Sequence, residues 1–233
     1  MKALLLNGPG KPFSIETIKD PTPEKGYAVA KVLACGSGLT IQHVKAGRIT
    51  VNYPRIIGHE IIGEIVEING QGDDLEIGTP VTAFFYLTCG HCRWCNIDRE
   101  TLCDNFRGYI GREIDGGYAE YIKLPIENFI KIPEEIDYKN NLLETAVVCD
   151  AVATPLKIIK KARISSFDKV GVIGAGGGLG IHMLKMLKLN NISAIGIDTK
   201  TEKFNTCNEN GAEFSVSPME NDLKNKITNF SKS

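Results

Sequence analysis

Four cysteines, Cys89, Cys92, Cys95 and Cys103, stand in the segment TCGHCRWCNIDRETLC with the spacing C-x2-C-x2-C-x7-C. Two-residue gaps let thiolates fold around one ion in a tight loop, and the seven-residue excursion returns the fourth sulfur to close a tetrahedron. The expected ion is zinc. Four thiolates leave no open coordination position, so the site is structural rather than catalytic. His91 falls inside the cluster as a solvated loop residue, and Trp94, the only tryptophan, reads as the hydrophobic anchor of the loop. The chain has seven cysteines, an odd number, and four of them crowd into fifteen residues. That pattern argues against a secreted disulfide framework and for metal ligation in a reducing, cytoplasmic compartment.

A second constellation is the run IGAGGGLG, with Gly174, Gly176, Gly177, Gly178, Leu179 and Gly180 between an apolar strand and a helix. Glycine at such a turn permits close backbone approach to a pyrophosphate, and the helix N-terminus supplies amide donors and a positive dipole end. Asp198 closes the next strand about twenty residues on, where an acid accepts from the adenine-ribose hydroxyls and favours NAD over NADP. The best register for the fingerprint is Ala175, Gly177, Gly180, with alanine at the first glycine or one extra residue in the turn.

The elements that must position these groups fall into two kinds. From Met1 to about Pro133 the text is of short apolar runs broken by Gly, Pro and Asn (KALLLN, AVAKVLACG, IIGEIVEI, PVTAFFY, YAEYIKL, NFIKIP), the signature of a mostly β, barrel-like lobe. NNLLETAVVCDAVATPLKIIKKA then reads as helix and marks the hinge between lobes. VGVIGAGGGLGIHMLKMLKLNNISAIGID follows as a buried strand, a Gly-rich turn, an amphipathic helix and a second buried strand, which is a βαβ unit. A helix stopped by Gly211, a short strand AEFSVS and a polar helix NDLKNKITNF complete the text. A full dinucleotide-binding sheet needs about 130 to 150 residues, whereas 68 remain from Ser166 onward. The expectation is therefore one mononucleotide half, without the nicotinamide side of the site.

Composition excludes some classes. With 42% hydrophobic and 24% charged residues and a net charge of −1, the chain is an ordinary globular protein with no cationic surplus for nucleic acid. The early leucine run is stopped by Asn7, Gly8 and Pro9, far short of a ~20-residue membrane span. Cys207 in its polar helix reads as an ordinary thiol, and Lys157, Lys160, Lys161 and Arg163 as an exposed helix face.

The cysteine cluster and the Gly-rich turn, with GHEIIGEIVEI at 58–68 and GGYAEY at 116–121, resemble the zinc-containing alcohol dehydrogenases of the medium-chain dehydrogenase/reductase superfamily. The resemblance implies a GroES-like β-barrel catalytic lobe over 1–150. An incomplete Rossmann lobe, the N-terminal half of a doubly wound parallel sheet, then spans 151–233. The family's chain afterwards returns to the catalytic lobe, so this one reads as truncated at its C-terminus. By resemblance, His59 is a ligand of a catalytic zinc, and Glu60 is the adjacent acid that can take the water position. The third ligand is Cys149 or Asp150, with Asp150 favoured because Thr154 stands four residues on, where the family keeps a cofactor-side threonine. Thr40 and His43 match the proton relay, and Lys203 matches a lysine that touches the adenosine ribose. The first ligand departs from the pattern: ACGSGLTIQH puts Gly38 where a thiolate belongs, Ile41 where an aspartate belongs, and Cys35 at a non-ligating position.

The activity so implied is NAD-dependent interconversion of an alcohol and an aldehyde or ketone, on a small-molecule substrate, with no nucleic-acid or membrane partner. A homo-oligomer is left open. Two other readings stand beside it: a zinc-free reductase of enones or acyl-CoA thioesters from the same superfamily, and an inactive remnant that retains the structural zinc.

Overall fold

The computed structural model describes residues 1–71 and 74–232, and the chain divides into two units, Met1–Cys149 and Asp150–Ser233. The first unit carries strands β1 (Lys2–Leu6), β2 (Phe13–Thr17) and β3 (Tyr27–Cys35), helix α1 (Leu39–Lys45), and strands β4 (Arg55–Ile56), β5 (Ile61–Asn69) and β6 (Pro80–Ala83). Strands β7 (Tyr86–Leu87), β8 (Gly108–Tyr109), β9 (Tyr121–Pro125) and β10 (Phe129–Lys131) and helix α2 (Leu142–Ala146) follow. One sheet runs β10-β6-β5-β3-β9 and another β2-β1-β4, with every pair antiparallel. The two sheets are joined by the segment before β9. Leu4 N donates to Tyr118 O at 2.8 Å and Glu120 N to Lys2 O at 3.0 Å, so one stretch of chain pairs first with β1 and then, as β9, with β3. That switch wraps the sheets into the barrel-like lobe.

Strand β5 explains why the barrel has a covered outside as well as a filled interior. Ile61 and Ile65 point inward among Ala30, Val81 and Leu124, while Ile62 points the other way, onto Ile132 and Ala146 of α2. Each isoleucine is essentially inaccessible, and each such burial stabilises the fold by about 1.5–3 kcal/mol.

The second unit contains α3 (Ala153–Ala162), β11 (Lys169–Ile173), α4 (Gly178–Leu189), β12 (Ser193–Ile197), α5 (Phe204–Glu209), β13 (Ser215–Val216) and α6 (Leu223–Lys232). Its strands form a parallel sheet in the order β11-β12-β13, with α4 as the crossover between β11 and β12. Leu184 and Leu187 of α4 are fully buried against Ala194 and Cys207.

Several expectations are refined or corrected here. The text from Asn140 to Ala162 is helical as expected, in three parts: α2 ends at Ala146, a π-helical turn covers Val148–Val152, and α3 begins at Ala153. The β-branched pair Val147–Val148 is poor helix text, and Pro155 fits the first turn of α3, where its missing N–H breaks no bond. Strand β11 is not buried. It stands at the sheet edge with only Val172 inaccessible, and Ile173 is 85% exposed, whereas β12 in the middle is covered. The stretch LTIQHVK forms α1, unforeseen in the sequence, with Ile41 and Val44 buried on one face. Cys207 does lie in a polar helix, α5, and is that helix's one buried residue, packed beneath β12.

Gly180 sets the distance between α4 and β11. A Cβ there would meet Gly174 O at 2.3 Å and Ala175 Cα at 2.7 Å, both backbone atoms that cannot step aside. Gly180→Ala is expected to destabilise the second unit by about 1–3 kcal/mol, read as a lowered urea midpoint; an unchanged midpoint would show that the helix can ride outward freely.

Candidate functional site

The cysteine loop is held by short local turns. Asn96 N bonds to Cys92 O at 3.0 Å and Cys103 N to Glu100 O at 3.0 Å, which brings the distant fourth cysteine back beside the first. Sulfur separations are 3.5 Å for Cys92–Cys95, 3.5 Å for Cys89–Cys103 and 4.0 Å for Cys92–Cys103. A tetrahedron with zinc–sulfur bonds of ~2.3 Å needs sulfurs ~3.8 Å apart, so the donor set fits that ion. All four ligand atoms lie within 4.8 Å of one another. The backbone amide of His91 holds the Cys89 thiol down at about 6, and the amides of Cys95 and Asp104 hold Cys92 below its ordinary value. Burial and the neighbouring Cys92 and Cys103 push Cys95 up to about 11. Backbone dipoles thus prepare part of the cluster as thiolate, the form that binds metal. His91 is exposed, its Nδ1 2.6 Å from Cys89 O. Trp94 is tied by a polar bond, not only by packing: its Nε1 donates to Asp104 Oδ1 at 3.1 Å, and the Arg93 guanidinium lies over the indole.

The Gly-rich turn follows β11 directly. Gly174 takes φ +74°, a left-handed conformation that a side chain resists. Gly177 is the N-cap of α4, and no side chain caps that end, so the first-turn amides of Gly178, Leu179 and Gly180 face an approaching anion. Ala175 is wholly buried, which suits alanine in place of a first fingerprint glycine. Asp198, just past β12, accepts from Gly176 N at 2.8 Å through Oδ2 and from Lys200 N at 2.9 Å through Oδ1. Burial works to raise its carboxyl, but the amides of Lys200 and Gly176 and the Lys203 charge hold it below the usual range. Lys203 donates to Gly176 O at 2.9 Å and lies across that glycine, so it is neither a free surface lysine nor already placed on a ribose.

The remaining expected residues are more scattered. Glu60, 5% exposed, sits against the Gly36–Gly38 backbone. The His59 ring packs on Phe85 with centroids 5.0 Å apart, and Cys149 Sγ is 3.7 Å from His59 O. Among the described residues, the four cysteines are the one group of three or more potential ligand side chains whose ligand atoms all lie within 4.8 Å of one another. In the second unit Thr154 donates to Asp150 Oδ1 at 2.9 Å. Thr40 begins the first turn of α1, and His43 Nδ1 lies 3.0 Å from Arg48 Nη1. Arginine only donates, so Nδ1 accepts and a neutral ring carries its proton on Nε2. Sequence reasoning missed Arg48, Phe85 and Tyr118, whose hydroxyl donates to Gly36 O at 3.2 Å. Only Tyr118 left a signal, inside GGYAEY.

A family model described as the alcohol dehydrogenase GroES-like domain matches residues 24–134. An alcohol dehydrogenase of Geobacillus stearothermophilus is 30% identical over 97% of this chain and 68% of its own length. The chain belongs to the alcohol dehydrogenase family. An acryloyl-coenzyme A reductase of Sulfurisphaera tokodaii is also 30% identical, over 87% of this chain and 60% of its own. A solved short chain alcohol dehydrogenase from E. coli CFT073, complexed with the cofactor NADH, superposes with a TM-score of 0.86 at 28% identity, over 98% of this chain and 66% of its own. The chain thus spans 60–68% of the length of these relatives. As a family member, it has a GroES-like first unit and a Rossmann-type second unit.

Cys103 is the buried member of the cluster. Cys103→Ser is expected to strip zinc from the loop and to lower stability by about 2 kcal/mol or more, read as zinc content and melting temperature. A variant that keeps both would show that Cys103 is not a ligand.

Proposed function

We propose that the chain works as an NAD-dependent oxidoreductase of the alcohol dehydrogenase type, interconverting a small alcohol with its aldehyde or ketone. The four cysteines hold a structural zinc, which staples the loop between β7 and β8. The observation that carries the cofactor part is Asp198, fixed by the Gly176 and Lys200 amides at the mouth of the Gly-rich turn. A carboxylate has about four lone-pair sites, so with these two amides bound it still accepts from ribose hydroxyls. The same charge repels a 2′-phosphate, which supports NAD over NADP. The open backbone at Gly174 and Gly178 and the uncapped start of α4 would take the pyrophosphate. NAD, when bound, supplies the hydride acceptor. Thr40 and His43 lie on one face of α1, three residues apart, and His43 with its proton on Nε2 is the group that would pass the substrate proton outward.

One observation favours a second reading, reduction of an activated double bond. Gly38 stands where the family's metal-binding thiolate is expected, and the acryloyl-coenzyme A reductase is also 30% identical, over a smaller share of the chain than the alcohol dehydrogenase. In that chemistry a hydride from NADH adds to the β-carbon and a proton to the α-carbon, with no alcohol oxygen to polarise.

Fluorescence titration tests the cofactor assignment. NADH is expected to bind more tightly than NADPH, and Asp198→Asn to weaken NADH by about tenfold or more, the worth of charge-assisted bonds near 1.5–3 kcal/mol. Equal affinity for both nucleotides in the unmodified protein would sink it. Following NADH against panels of alcohols, carbonyls and enoyl thioesters then decides between the two reactions.

A further inference from the structure

A cavity of about 450 Å³ opens within the first unit, lined by residues of β4, β7 and β9, by the start of β3 and by the segment around β8 that runs from Arg107 to Asp115. Pockets for small molecules run to several hundred Å³. None of the residues assigned above to zinc, NAD or proton transfer lines this one. We propose that it binds a small monocarboxylate with an apolar body, whose head group meets the Arg55 guanidinium.

The walls are fixed by backbone bonds before any ligand arrives. Arg107 N donates to Leu87 O at 2.8 Å and Arg107 Nη2 to Thr88 O at 2.8 Å, which ties one side of the cavity to the base of the cysteine loop. Gly116 N donates to Ile56 O at 2.8 Å and holds the turn after β8 on β4. Tyr27, Ile56, Leu87 and Ile114 give the lining its apolar part. An alkyl chain or an aromatic ring gains by leaving water there.

The charged groups of the lining are unevenly satisfied. Each acid already has a partner: Glu24 accepts from Lys123 Nζ at 2.6 Å, Glu113 from Tyr109 N at 2.7 Å, and Asp115 from Arg55 Nη1 at 2.8 Å and Ile56 N at 3.3 Å. Lys123 is thereby occupied, but Arg55 is not. Its side chain is 15% exposed, Asp115 takes one of its five donors, and its buried Nε has no acceptor among the described residues. A guanidinium so placed favours an oxygen anion, which it can hold through two N–H groups at once. Glu24, Glu113 and Asp115 limit the charge that can enter. Beside three carboxylates a dianion such as phosphate is repelled, whereas a carboxylate brings one charge and an apolar body that covers the rest of the lining.

Calorimetric titration of the zinc-loaded chain with octanoate tests the assignment, with octan-1-ol and inorganic phosphate supplying each half of the ligand alone. Octanoate is expected to bind once per chain, and each of the other two about tenfold more weakly or less tightly still. Arg55→Gln is expected to weaken octanoate by about tenfold or more, the loss of a charge-assisted pair. Asp115→Asn alters a side chain that is 57% exposed, keeps an acceptor for Arg55 and removes a charge, so octanoate should bind more tightly; this variant carries the test if Arg55→Gln proves poorly folded. Lack of saturable binding, octan-1-ol binding as tight as that of octanoate, or an octanoate affinity that neither variant alters would overturn the proposal. The affinity is expected to be the same with and without NADH. Competition between the two would place the carboxylate in the nucleotide site and overturn the proposal, whichever way the cofactor titrations fall.

Discussion

The pairing of β3 with β5 governs the chemistry of the first unit. These are its two longest strands, and their register runs from Tyr27 opposite Asn69 to Cys35 opposite Ile61, with shifts at Val29/Ala30 and Val32/Ala34. Because side chains alternate across a strand, a slip of one residue would exchange the inward Ile61 and Ile65 for the outward Ile62. It would also carry Glu60 off Gly36. The apolar packing that locks the ladder is therefore the same interaction that fixes where the acid sits.

The two candidate binding elements are built on different physics. The cysteine loop holds little apolar core of its own: Cys103 is its one buried cysteine, and its order comes from short backbone turns and from four sulfurs at tetrahedral spacing. Such a loop gains most of its rigidity when an ion joins its ends. The Gly-rich turn is instead rigid by packing. Gly180 lies on the backbone of Gly174 and Ala175, Ala175 is fully buried, and Asp198 ties the turn to the end of β12 through Gly176 N. A preformed turn of this kind presents amides and a carboxylate in fixed places, which suits recognition of a nucleotide more than plain charge attraction does.

Much of this was legible in the text, and the reasons differ element by element. The cysteine spacing, the strand–turn–helix around Gly174–Gly180 and the acid at Asp198 are local patterns, set within about twenty-five residues of chain. The elements left incomplete in the text were those whose state depends on neighbours. VGVIG has the apolar content of a covered strand, yet β11 is exposed because it lies at the edge of its sheet. The run around Val147 has helical periodicity, yet β-branched crowding and the demands of packing divide it into α2, a π-turn and α3. Lys203 matches a ribose-contacting lysine in the text, and only the fold showed it lying over Gly176.

Sequence alone determined the metal chemistry of the loop, because ligand type and spacing are enough to close a tetrahedron of sulfurs. It also exposed the substitution at Gly38, since a missing thiolate is a fact of composition. It could not show how the neighbouring acid is seated. Glu60 and Gly36 are separated by more than twenty residues, and only the tertiary ladder between β3 and β5 brings the carboxylate onto the glycine backbone. Long-range register, set by the burial of isoleucines on both faces of β5, decided the surroundings of His59.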